Sequence, residues 1–208
     1  LDLSGLGIKK VQDCLNRNGF AFIYQPDHFS LAENINPYRE EIGKRPPIAT
    51  MELLWSAHRG QHILINGFVH KPTEEKAWQT HKLLGEESLI TIKGLEGGTD
   101  IPISRPCIAG RFGNNQHERL ILKAQDYDLK CSDPKWHDIN QWKQCSLEAL
   151  EGKGPYLNPL LWNCGVYLWL CGVSKSITQG IDKTITCIEE GKAYSQLKKL
   201  IEWRESEI

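Results

Sequence analysis

The chain has 208 residues, of which 40% are apolar and 25% charged, and its 25 basic and 26 acidic residues give a formal net charge of −1. Its length suits one domain, and so balanced a charge argues against binding driven by attraction to nucleic acid or to an anionic membrane. Seven cysteines without Cys-x-x-Cys spacing argue against a disulfide framework or a zinc ribbon and favour a reducing cytoplasm. The longest apolar run, residues 159–173, is shorter than the roughly 20 residues of a bilayer span.

The first part of the sequence predicts helices around one strand. Apolar residues recur at spacings of three and four within residues 7–18, which predicts a helix that ends at Gly19. Aromatic and β-branched residues fill positions 20–24 and predict a buried strand. A helix is predicted to begin near Pro37, where acidic residues follow the proline, and a second short helix is predicted over residues 48–57.

Two further strands with a helix between them follow, in the alternation typical of α/β proteins. Residues 62–65 and 88–93 are rich in β-branched residues and predict strands. Between them a helix is predicted to begin at Pro72 and to end at Leu84, before Gly85. Because helices separate the predicted strands, we expect a mostly parallel sheet flanked by helices.

A long segment rich in glycine and proline, residues 94–111, comes directly after the predicted strand 88–93. In open α/β sheets, ligands bind beyond the carboxyl ends of the strands, so this segment is a candidate binding loop. A plain connection between two elements is the alternative. Residues 117–123 then predict a strand at the edge of the sheet.

The last third of the chain predicts helices. Residues 159–173 are apolar on nearly every side, which predicts a buried helix. Asn163 interrupts this run, and a buried amide needs polar partners, so we expect it to hold a loop or neighbouring backbone. Four isoleucines from Ile177 to Ile188 form one helical stripe, and residues 194–201 predict a final helix in the same way.

Three segments, in this order, carry a resemblance to a known family. Residues 19–43 contain a strand pattern, a loop with His28 and a helix with Arg39. Residues 88–100 contain a strand that ends in a glycine-framed acidic loop, and residues 158–200 contain an asparagine, an apolar helix and a Gly-Lys-Ala helix start. Together these segments resemble the anthranilate phosphoribosyltransferase family over nearly the whole chain.

The resemblance implies a catalytic domain of the nucleoside phosphorylase/phosphoribosyltransferase type. Family members transfer a phosphoribosyl group from phosphoribosyl pyrophosphate to the amine of anthranilate in tryptophan biosynthesis, use Mg²⁺ and usually form homodimers. The family's glycine-rich phosphate loop and N-terminal helical domain have no counterpart here, and the chain begins at Leu1. We therefore expect residues 1–208 to be the C-terminal α/β part of such a protein, with residues 44–60 as candidates for its small helical or hinge part.

The same resemblance suggests residues that bind the two substrates. It places Arg39 where a guanidinium can grip the carboxylate of an aromatic acid, and His28 in the neighbouring loop. The second histidine position of that loop is Phe29 in this chain. Lys93 and Gly94, at the start of the acidic loop, are the candidates for binding phosphate.

For the metal, the resemblance suggests two carboxylates. The acidic pair of the family aligns with Thr99 and Asp100, so this chain keeps one of its two carboxylates. Glu96, three residues before Thr99, is the candidate for the second. Mg²⁺ is usually held in proteins by one or two carboxylates together with substrate phosphates, which makes Asp100 and Glu96 the expected metal ligands.

Two alternatives to the enzyme stay open at the level of sequence. Relatives with altered site motifs act as non-catalytic nucleic-acid-binding proteins, although no run of adjacent basic residues here exceeds two. An assembly or dimerisation protein is the other alternative, with tryptophans such as Trp55 and Trp162 as apolar anchors.

Overall fold

The computed structural model describes residues 1–43, 53–113 and 116–207. The chain divides into two compact units, one made of Leu1–Ala57 with Ser195–Ile208 and the other of His58–Tyr194. The helices and strands are α1 (Ile8–Asn18), α2 (Gln25–His28), α3 (Ser30–Glu33), α4 (Asn36–Ile42), β1 (Leu64–Gly67), α5 (Lys71–Leu84), β2 (Ser88–Ile92), β3 (Cys107–Gly113), β4 (Gln116–Leu122), α6 (Ile139–Leu150), α7 (Leu157–Leu170), α8 (Ile177–Glu189) and α9 (Lys192–Ser206).

The core of the first unit forms where α1 packs against α9. Val11 and Cys14 of α1 are buried in one cluster with Leu200 and Trp203 of α9. The Trp203 indole also donates a hydrogen bond of 3.0 Å to the Asp13 carboxylate. The amphipathic stripes that predict these two helices therefore face each other.

The residues after α1 do not form the strand that the sequence predicts. α1 ends, as expected, at Gly19, which adopts the left-handed conformation. Residues 20–24 are irregular, and the side chains of Phe20, Phe22 and Tyr24 are 50%, 45% and 41% exposed. A buried strand needs a neighbouring strand for its peptide groups, and within the described ranges no segment pairs with this one. The predicted strand is therefore wrong.

The helix expected near Pro37 is confirmed as α4, which has this proline in its first turn. The helix predicted over residues 48–57 falls in part on residues 44–52, which lie outside the described residues. The assignment of residues 44–60 to a hinge overlaps the same segment and stays a prediction.

The sheet of the second unit is mixed. Its four strands lie in the order β1-β2-β3-β4. β1 and β2 are parallel and joined through α5, whereas β3 runs antiparallel to both β2 and β4. The predicted α/β fold with a sheet flanked by helices is confirmed, as is the edge position of β4. The expectation of a mostly parallel sheet is wrong, because two of the three strand pairings in the described sheet are antiparallel.

β3 occupies residues that the sequence predicts as the end of a loop. Glycines weaken a strand pattern because they add no side chain to the sheet. Position 110 nevertheless requires a glycine, because a Cβ there would lie 2.4 Å from Thr91 Oγ1 and 2.8 Å from Trp78 Cζ2. The close approach of Thr91 and Trp78 to β3 thus explains why this strand contains a glycine, and the glycine explains why the sequence pattern did not predict the strand. Between β2 and β3 lies a single 3-10 turn, Leu95–Gly97, instead of an α-helix that could cross over the sheet, which is consistent with the antiparallel pairing of the two strands.

The helix α7 packs one face against the sheet. Trp162 and Val166 are fully buried in the main core with β2 residues such as Ile92. The prediction of a helix buried on all sides is wrong for the opposite face, which lines an apolar groove of about 600 Å³ together with α8. Residues of that wall, such as Cys164, remain half-buried.

A buried carboxylate lies between α5 and the sheet. Glu74 is fully buried, and its Oε1 accepts a 2.8 Å hydrogen bond from the Thr91 hydroxyl. Its Oε2 pairs with the guanidinium of Arg119, whose Cζ lies 5.6 Å from the ring centroid of Trp78. The carboxylate therefore has both a neutral donor and a cation, as a charge inside a protein requires.

His81, in the last turn of α5, gives the second unit a stability that depends on pH. The side chain is fully buried, and neither ring nitrogen makes a hydrogen bond within the described residues. Burial lowers the pKa of His81 from its ordinary 6.5, although the nearby Glu86 carboxylate raises it.

Because the folded state depresses this pKa, the unfolded state binds more protons, and the free energy of unfolding should fall as the pH drops below about 6.5. Urea unfolding from pH 8 to pH 5 measures this slope. We expect His81→Leu to flatten it and His137→Leu, at an exposed position, to leave it unchanged. Equal slopes for the wild type and His81→Leu would show that another group titrates.

In the described part of the chain, no helix is long and apolar enough to cross a bilayer. The seven cysteines lie in that part, and each is a free thiol.

Candidate functional site

The candidate site is the turn that follows β2, residues 94–100, which we call the acidic turn. Its backbone closes on itself, because the Leu95 N–H donates to the Asp100 carbonyl at 2.9 Å and the Gly98 N–H donates to the Leu95 carbonyl at 2.8 Å. Gly94 permits this closure, since a Cβ there would lie 2.2 Å from the Gly98 carbonyl oxygen. Glu96 adopts a φ of 51°, in the left-handed region that non-glycine residues rarely enter.

The acidic turn lies against the end of β1. The Phe68 N–H donates to the Ile92 carbonyl at 2.9 Å, which continues the parallel pairing beyond the last residues of the two strands. A Cβ on Gly67 would lie 2.1 Å from the Gly97 carbonyl oxygen and 2.4 Å from that of Gly98. The turn thus occupies the carboxyl ends of the parallel strand pair, where α/β sheets bind their ligands.

Helix α7 holds the other side of the turn. Asn163 Oδ1 accepts from the Ile101 N–H at 2.8 Å, and its Nδ2 donates to the Ile101 carbonyl at 3.1 Å. The Tyr167 hydroxyl donates to the Thr99 carbonyl, and the Trp162 indole donates to the Pro102 carbonyl at 3.2 Å. The expectation that Asn163 holds neighbouring backbone is confirmed. The role of Tyr167 was missed, because a tyrosine in an apolar run looks like an ordinary core residue.

The two predicted metal ligands lie on this turn with their side chains exposed. Within residues 1–43, 53–113 and 116–207, neither Glu96 nor Asp100 uses its carboxylate in a hydrogen bond or an ion pair. The same residues contain no group of three His, Cys, Asp or Glu side chains that could hold a metal without a substrate. Two free carboxylates beside open solvent fit Mg²⁺ that brings phosphate and water oxygens as its other ligands.

The two residues predicted to bind phosphate differ in exposure, since Lys93 is exposed and Gly94 is buried. The Lys93 side chain extends into solvent, while its backbone N–H donates to the Ile108 carbonyl at 2.8 Å. Gly94 is buried by the fold of the turn. Lys93 therefore offers an exposed cation at the start of the acidic turn, whereas Gly94 shapes the turn itself.

Arg39 and His28 belong to the first unit, whereas the acidic turn belongs to the second. Arg39 lies in α4 and donates from Nη1 to the Asn36 side-chain oxygen at 3.0 Å. His28 is the last residue of α2, and its side chain is half-buried. Their roles toward a substrate stay predictions.

Comparison with known proteins gives consistent matches. The sequence profile described as "Glycosyl transferase family, a/b domain" matches residues 4–194. The anthranilate phosphoribosyltransferase of Chromobacterium violaceum is 23% identical over 97% of this chain and 61% of its own length. This chain thus spans about three-fifths of that relative.

Solved structures match as well. The anthranilate phosphoribosyltransferase from Saccharomyces cerevisiae in complex with 4-fluoroanthranilate superposes with a TM-score of 0.84 at 17% identity, covering 99% of this chain and 60% of that one. The same enzyme in complex with PRPP and Mg superposes with a TM-score of 0.82 at 16% identity, covering 99% of this chain and 58% of that one. At these identities, the similarity establishes the fold.

Proposed function

Because the chain belongs to the glycosyl transferase family with the a/b domain, we propose that it forms part of a phosphoribosyl transfer site of the anthranilate type. Phosphoribosyl pyrophosphate would be the donor, and a small aromatic acid such as anthranilate the acceptor. The chain spans about three-fifths of the length of the relative from Chromobacterium violaceum, and a homodimer is part of the same proposal.

One observation carries the proposal: the acidic turn presents two carboxylates at the carboxyl ends of parallel strands β1 and β2, and neither is paired with another of the described residues. A carboxylate pair at this place suits a metal that arrives with a pyrophosphate. The enzyme from Saccharomyces cerevisiae was captured with PRPP and Mg in one structure and with 4-fluoroanthranilate in another. The family and the free carboxylates therefore support the same donor.

Each candidate residue has a distinct task in this scheme. Glu96 and Asp100 would hold Mg²⁺, which when bound neutralises the charge that collects on departing pyrophosphate. Lys93 would add a cation near the same oxygens. Arg39 and His28, in the first unit, would bind the carboxylate of the acceptor. Positioning of this kind supplies most of the acceleration when the sugar acquires oxocarbenium character.

The proposal predicts that Asp100→Asn weakens binding of phosphoribosyl pyrophosphate in the presence of Mg²⁺ by about tenfold or more, since a neutral amide is a poor Mg²⁺ ligand. Isothermal titration of the purified protein measures the dissociation constant. The matched control is Asp182→Asn, which removes the same charge from an exposed position on α8 and should bind like the wild type.

Failure of the wild type to bind phosphoribosyl pyrophosphate with Mg²⁺ would remove the transferase proposal. Equal binding by Asp100→Asn and Asp182→Asn would remove the metal role of Asp100 alone. Salt-sensitive binding of DNA in a polarisation assay, without binding of the pyrophosphate, would instead favour the non-catalytic alternative.

A further inference from the structure

The backbone on both sides of Asp100 is held more completely than a surface turn requires. The carbonyl of Thr99 accepts from Tyr167, and the carbonyl of Asp100 accepts from the Leu95 N–H. Ile101 gives both its N–H and its carbonyl to Asn163. Exposed turns usually leave such groups to water, so this arrangement fixes the place from which the Asp100 carboxylate projects.

We infer that Asn163 and Tyr167 are positioning residues: from helix α7 they hold the peptide groups before and after Asp100 and so set its carboxylate for a metal–pyrophosphate ligand. This inference rests on the proposed function and adds to it two residues that touch neither substrate. The two side chains lie four residues apart, one helical turn, so they present their polar atoms on the same face of α7.

The chemistry of the two side chains fits this task. Asn163 anchors its own amide by also donating to the Pro159 carbonyl at 3.0 Å, which fixes the orientation of the group that binds Ile101. The Tyr167 hydroxyl is a phenol, which donates a hydrogen bond to the Thr99 carbonyl. Fixed partners of this kind orient metal-binding carboxylates, and their loss costs metal affinity without loss of a ligand.

The test uses Tyr167→Phe, which removes one hydroxyl and keeps the ring. We expect it to weaken binding of Mg²⁺ with phosphoribosyl pyrophosphate by about tenfold, and to accelerate hydrogen exchange at the amides of Leu95 and Ile101, whose hydrogen bonds close the turn and hold it to α7. The matched control is Tyr156→Phe, which removes a phenol that donates to the Lys135 carbonyl at 3.4 Å, away from the turn. It should change neither quantity. Asn163→Ala should act like Tyr167→Phe, and Asn163→Gln should restore part of the affinity.

The outcomes separate this inference from the proposed function. If the wild type binds the ligand and both Tyr167→Phe and Asn163→Ala bind it equally well, the positioning role is overturned and the proposed function stands. If the wild type binds no ligand, the proposed function fails. Hydrogen exchange then decides whether Asn163 and Tyr167 hold the acidic turn. Unchanged exchange at Leu95 and Ile101 in both variants would overturn the view that Asn163 and Tyr167 hold the acidic turn.

Discussion

Gly67→Ala should lower the free energy of unfolding by about 3 kcal/mol, the upper end of what overpacking usually costs. The new Cβ would lie 2.1 Å and 2.4 Å from the carbonyl oxygens of Gly97 and Gly98. Neither side can yield easily, since β1 is paired with β2 and the acidic turn is closed by its own hydrogen bonds. Urea unfolding followed by circular dichroism measures the loss, and titration with phosphoribosyl pyrophosphate measures its effect on the site.

Gly113→Ala is the control for this change, because Gly113 also ends a strand and its Cβ would meet the Glu87 carbonyl oxygen at an ordinary 3.6 Å. It should shift the unfolding midpoint little. Similar midpoints for Gly67→Ala and Gly113→Ala would mean that β1 and the acidic turn are not in tight contact.

Arg119→Met should cost about 3 kcal/mol, because it leaves the Glu74 carboxylate buried without its cation. Glu74 is fully buried, while the Arg119 side chain is 38% exposed, so solvent shields the pair on one side only. Urea unfolding at pH 7 measures the loss. The control is Arg105→Met, which breaks an ion pair with Asp133 of 3.3 Å whose arginine is 55% exposed. Surface pairs of that kind contribute roughly 0–1 kcal/mol.

The double variant Glu74→Gln with Arg119→Met removes both charges of the pair. Its loss should be smaller than the loss in Arg119→Met, because the buried charge is gone and the Thr91 hydroxyl still has an acceptor. Equal losses in Arg119→Met and Arg105→Met would contradict the view that burial of Glu74 makes this pair important.

Local signals in the sequence were enough to predict several of the helices. Gly19 and Gly85 end α1 and α5 in the left-handed conformation, as a glycine after an amphipathic run indicates. The isoleucine stripe between Ile177 and Ile188 predicted α8, which spans Ile177–Glu189. Such signals depend on neighbours within one or two turns, which a single sequence displays directly.

The sheet was harder to predict because its pairing depends on distant residues. Residues 20–24 have the composition of a strand but no partner within the described chain, and β3 has partners but contains glycine where Thr91 and Trp78 approach. The antiparallel direction of β3 also cannot be predicted from the residues of β3 alone. Composition therefore predicted one strand too many and missed another.

The site was predictable in part for the same reasons. The position of Glu96 and Asp100 after a strand indicated the acidic turn, and Asn163 stood out as an amide in an apolar helix. The hydroxyl of Tyr167 and the buried carboxylate of Glu74 gave no comparable signal, since each is explained by a partner elsewhere in the chain. The roles of Arg39 and His28 depend on the resemblance and stay predictions.

The hydrogen bonds from Asn163 and Tyr167 to the acidic turn also have a consequence for the order in which the protein folds. Asn163 and Ile101 are 62 residues apart in sequence, and contacts of such long range form late because the intervening chain must first lose its freedom. During synthesis, the loop around Asp100 leaves the ribosome well before α7. A nascent chain can therefore complete its strands β1 and β2 and still lack the hydrogen bonds that hold the acidic turn until α7 has docked.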